Sequence, residues 1–139
     1  MKIKTDFVTN SSSTCFVVMT KGEVPLDTFI EAVGLEENSQ FRDIFEELYV
    51  KCFSELPTIE DFVANDRWNQ GGAMDVDQYI TEIFSAQTLE RIREARKKGF
   101  DIRMGRLASD NTTAEAYFCT SAFVIETENF IIDGTNSGW

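Results

Sequence analysis

Histidine is absent from all 139 residues, and that absence narrows the chemistry more than any motif present. Without imidazole there is no Ser-His-Asp or Cys-His nucleophile, no H-E-x-x-H zinc site and no histidine base near neutral pH. Catalysis would fall to carboxylates, a lysine, a tyrosine or an oxygen-ligated metal. Cysteine is scarce and odd in number: Cys15, Cys52 and Cys119 each lie in an apolar run, with no C-x-x-C spacing. A disulfide framework or zinc knuckle is disfavoured on that pattern, and buried reduced thiols are expected. No apolar run approaches the roughly 20 residues of a bilayer-spanning helix. The opening MKIKTD lacks the apolar centre of a signal peptide. We therefore expect a cytoplasmic protein without membrane attachment, and nothing in the chain requires a cofactor or a metal.

Positive charge is the other deficit. Thirteen Lys and Arg stand against 24 Asp and Glu, for a net charge of −11. Seven of those thirteen crowd into RIREARKKGFDIRMGR (91–106), beside only two of the acids. The rest of the chain is strongly acidic; such a field repels a phosphate backbone and attracts a basic protein surface. Nucleic acid is disfavoured as a partner.

The apolar content is ample: 42% of residues, with twelve phenylalanines, enough for one domain spanning 1–139. KIKTDFV (2–8) alternates as a strand, and CFVVM (15–19) is a short continuous apolar run. The two can pair as an antiparallel hairpin or lie apart; their residues leave both arrangements open. Five helices are expected next. Pro25 suits the start of the first, whose apolar residues are Leu26, Phe29, Ile30 and Val33, and Gly34 ends it. The second has a Ser39 cap and a stripe of Phe41, Ile44, Phe45, Leu48, Tyr49, Cys52 and Phe53. Thr58 caps a short third helix. Asp75 caps the fourth with Gln78 in capping-box position. A fifth runs from about Thr88 to Lys98, where Gly99 stops it.

After Gly99 the period shortens. FDIRMGRLA (100–108), AEAYFCTSAFVIET (114–127) and NFIIDG (129–134) read as three strands of an antiparallel meander. The expected architecture is α+β: a mostly antiparallel sheet of two N-terminal and three C-terminal strands, covered by a central block of about five helices.

Between the first two strands lies an unbroken run of small polar residues from Thr9 to Thr14. The stretch DFVTNSSST-x-F, behind a basic MKIK start, resembles an N-terminal header in a scattered set of uncharacterised bacterial and archaeal proteins. Those begin with a basic–aliphatic–basic triplet leading into DFVTNSSSSSF. The match covers Lys2 to Phe16 and departs at Thr14 and Cys15, where the pattern has serines. The resemblance implies membership of that group and carries no activity with it.

Three roles suit such a run: a loop whose hydroxyls and Asn10 amide bond their own backbone, an anion-binding turn, or a segment read or modified by another protein. The self-bonded loop is the leading role, and a length beyond the need of a tight turn suggests in addition that something reads the stretch. Candidate ligand-binding residues are Asn10, Ser11, Ser12 and Ser13 with the strand arginines Arg103 and Arg106. Candidate partner contacts are Trp68 and Trp139, both in loop-like surroundings. Asp110 with Glu115, and Glu126, Glu128 and Asp133, are carboxylates that a cation or acid–base pair would need. Asp75 and Asp77 have cation-binding spacing. Solvated strand and turn carboxylates plus a helix cap are the preferred explanation, since such coincidences are expected among 24 acids.

The reading favoured is a non-enzymatic acidic interaction or inhibitor domain of bacterial or phage type, engaging a basic protein. The alternatives are a small-ligand or nucleotide binder using the serine-rich stretch and the strand arginines, and a histidine-free carboxylate or metal-dependent enzyme.

Overall fold

The computed structural model describes residues 2–4, 13–34, 42–53, 56–66, 69, 73–108 and 122–135. Strands β1 (Lys2–Lys4) and β2 (Ser13–Thr20) precede helices α1 (Leu26–Ala32), α2 (Arg42–Phe53), α3 (Ile59–Asn65), α4 (Val76–Ile83) and α5 (Ala86–Lys97). Strands β3 (Asp101–Ala108), β4 (Ala122–Glu126) and β5 (Phe130–Gly134) follow. The five strands make one antiparallel sheet in the order β1-β4-β5-β2-β3. The α+β class and antiparallel sheet expected from sequence are present.

The continuous apolar run of β2 marks a strand covered on both faces. Phe16 and Val18 join one core with α1, α2, Leu107 and Phe130. Cys15, Val17 and Met19 join a second with α3, α4, α5, Ile102 and Met104. A helical layer on each face of a single sheet results, and every residue from Cys15 to Met19 is buried. In the first core Phe29, Tyr49, Phe53 and Phe130 form a ring cluster with centroids 4.9–5.9 Å apart. Each such ring contributes about 1.5–3 kcal/mol through burial.

Local chemistry sets the helix ends. Pro25 occupies the N-cap of α1, one residue earlier than the sequence pattern placed it. The Thr58 side chain accepts from the Asp61 amide at 3.2 Å. Asp75 and Gln78 exchange both capping-box bonds, at 2.8 and 3.2 Å. Helix α5 begins at Ala86, not Thr88, because Ser85 caps it through the Thr88 amide at 3.1 Å. Gly99 follows with φ +83°, a left-handed turn that a side chain would strain. The expected Ser39 cap and Phe41 lie outside the described residues.

Two connections differ from expectation. β1 does not pair with β2: β4 and β5 stand between them. Lys4 and Ser13 are therefore three inter-strand spacings apart, about 14 Å, which no two-residue turn bridges. The connection between β1 and β2 must therefore be longer than a tight turn. Nor do β3, β4 and β5 form a meander. β2 lies between β3 and β5, and among the described residues only β4–β5 is a hairpin, closed by Thr127, whose Oγ1 accepts from Phe130 N at 3.1 Å. The short-turn rule holds for 127–129. It fails where residues 109–121 separate β3 from β4: β3 pairs with β2, whereas β4 pairs with β1 and β5. Of the expected strand 114–127, residues 122–127 are described, and Ala122–Glu126 of them are strand.

The outer edge of β3 is covered by the chain before α3. Pro57 O accepts from Met104 N at 3.2 Å, and Leu56 O from Arg103 Nη1 at 2.7 Å. Such a cover protects an edge that would otherwise pair with other chains.

Gly134 is fixed by packing. A Cβ there would stand 2.3 Å from Phe123 Cε1, so the Phe123 ring lies directly on the glycine. We expect Gly134→Ala to lower stability by about 1–3 kcal/mol in urea unfolding. Adding Phe123→Leu should cost less than the sum of the two single changes, because the shared clash is relieved.

Candidate functional site

Four features offer chemistry: two polar clusters under the α3–α5 layer, a cleft beside Arg103, and a groove along α5. In the first cluster Arg106 of β3 pairs with Asp66, just past α3, at 2.9 Å. The Asp66 carboxylate also accepts from the Tyr79 hydroxyl of α4. The Cys15 thiol, opposite Arg106 in the β2–β3 register, sits against Tyr79 and Arg106. Phe62 lies under the guanidinium, 5.7 Å from its carbon to the ring centroid. Burial pushes the Cys15 thiol up, and Arg106 offsets only part of that. Burial, then the bond to Asp66, raises the Tyr79 hydroxyl. Neither group is poised as a nucleophile or base at neutral pH. The cluster ties β3 to α3 and α4, and stripping one partner from so enclosed an ion pair costs about 3–5 kcal/mol.

The second cluster centres on Asp133, fully buried in β5. One oxygen accepts from Thr88 Oγ1 at 2.9 Å and Arg91 Nη1 at 2.8 Å. The other accepts from the amide and hydroxyl of Thr135, the amide at 3.0 Å. A carboxylate with four donors is satisfied and holds α5 onto the sheet. Asn69, also buried, does similar work between α3 and α4: its amide donates to Val63 O and Met74 O, both at 2.9 Å, and its oxygen accepts from Met74 N at 2.7 Å.

Strand parity separates the two candidate arginines. Arg106 shares the Ile102 and Met104 face, under α3–α5, whereas Arg103 shares the opposite face with Gly105 and Leu107. One ligand cannot be gripped by both, and the expectation of a joint arginine site is corrected on that ground. Arg103 lines a cleft of about 440 Å³ with Thr20, Glu23, Tyr49, Phe53 and Asp101. Its Nε is committed to Asp101 at 2.8 Å.

Of the remaining candidates, Asn10, Ser11, Ser12, Trp68, Trp139, Asp110 and Glu115 lie outside the described residues. Ser13 is placed only as the first residue of β2, opposite Ala108. Asp75 is a helix cap and Asp77 pairs with Arg93 at 3.0 Å. Glu126 and Glu128 are exposed, while Asp133 is enclosed beneath α5. Among the described residues no group of three or more Cys, Asp and Glu is placed to hold a metal ion, and no helix is long and apolar enough to cross a membrane.

The Asp66 and Asp133 clusters escaped sequence reading because Arg106, Arg91 and Thr88 stand 40 to 45 residues from the carboxylates they meet. One signal was present: in FIIDG, Asp133 alternates onto the same face as Ile131, and a carboxylate on a covered face requires donors.

The basic segment is neutralised within the fold except at Lys98, which is exposed with no ion pair among the described residues. Arg91, Arg93, Arg96, Lys97, Arg103 and Arg106 all stand in ion pairs, with Asp133, Asp77 and Glu90, Glu60, Glu94, Asp101 and Asp66 in that order. The exposed pairs add little stability, about 0–1 kcal/mol each, yet they cancel the only concentrated positive charge. Glu23, Asp27, Glu31, Asp43, Asp61, Glu82, Glu126 and Glu128 are exposed with no ion pair among the described residues.

No protein-family model, no curated protein and no solved structure matches this chain.

The raised Cys15 and Tyr79 groups make stability depend on pH at the alkaline end. Each holds its proton more tightly folded than unfolded. Their contribution is complete below the ordinary values of 9.0 and 10.0 and is lost as pH climbs beyond them. Urea unfolding should show stability flat from neutral pH to about 9 and falling above it, and Tyr79→Phe should flatten the part of that fall above about 10.

Proposed function

We propose that the chain is a non-enzymatic interaction or inhibitor domain that engages a basic protein surface. One observation carries the reading: six of the seven cations of segment 91–106 stand in internal ion pairs, while eight exposed carboxylates elsewhere have no ion pair among the described residues. Two further facts support it. Val50 is the single large apolar side chain exposed among the described residues, so contacts made there are polar. The two polar clusters with unusual chemistry are enclosed and internally satisfied, which suits a structural role better than turnover. A cytoplasmic setting belongs to this reading and is supported by Cys15 and Cys52, both free thiols and both buried.

Electrostatic steering is the test. With the partner recovered from the native host, the association rate should fall about tenfold or more as ionic strength rises from about 0.05 to 0.5 M, with a much smaller change in dissociation. A salt-insensitive rate, or a partner with an acidic contact surface, contradicts the reading.

A second reading keeps the small-ligand alternative in reduced form, because Arg103 borders a cleft with aromatic walls. It predicts that one small metabolite raises the melting temperature in a thermal-shift screen, and that Arg103→Met abolishes the shift. Indifference of the melting temperature to all compounds removes it.

A further inference from the structure

We draw no further inference here: the strongest candidate, the groove of about 670 Å³ between α5 and the β4–β5 turn, carries Lys21, Arg91 and Lys98 beside its four glutamates, so its charge selects no occupant, and the Arg103 cleft belongs to the small-ligand reading already given.

Discussion

The structure depends on one constraint: β2 is apolar on both faces and must be covered on both. A strand reading CFVVM has no side to show to water, so it is held centrally, with β5 and β3 on its edges and a helical layer above and below. That placement separates β1 from β2 by two strands, divides the core into two clusters, and sets Arg103 and Arg106 on opposite faces. The reach required of the polar N-terminal stretch follows from the same arrangement.

Electrostatics is organised around the second layer. Helix α5 brings four of the chain's thirteen cationic side chains next to the sheet, where Asp133 anchors it from below and Glu60, Asp77, Glu90 and Glu94 hold its exposed side. In the sequence the segment looks like an exposed cationic patch. In the fold it is largely neutral, and what reaches solvent is the excess of acid. The buried pairs fix how the layers dock; the exposed ones mainly set the sign of the surface.

How far the sequence could be read follows from the range of each interaction. Caps at Thr58 and Asp75, the glycine stop after α5 and the apolar stripe of α2 depend on neighbours within about four residues, and each is found where the pattern puts it. Strand order depends on pairings between distant segments. There the preference for short connections pointed to a meander, whereas β3 pairs with β2. The site was legible only in outline. The excess of carboxylate was plain from composition, but nothing near Arg91 or Arg106 in the chain discloses Asp133 or Asp66. Glu126 and Glu128 drew attention as possible cation ligands, and their place on one wall of a groove emerges only once α5 is packed beside the hairpin.

The claim that the protein adheres through its acidic face is tested most directly by zero-length carboxyl-to-amine crosslinking of the chain to its captured partner, with the joined residues identified by mass spectrometry. The account predicts bonds from exposed carboxylates of this chain to lysines of the partner. Bonds running the other way, from Lys21, Lys97 or Lys98 of this chain to carboxylates of the partner, would contradict it.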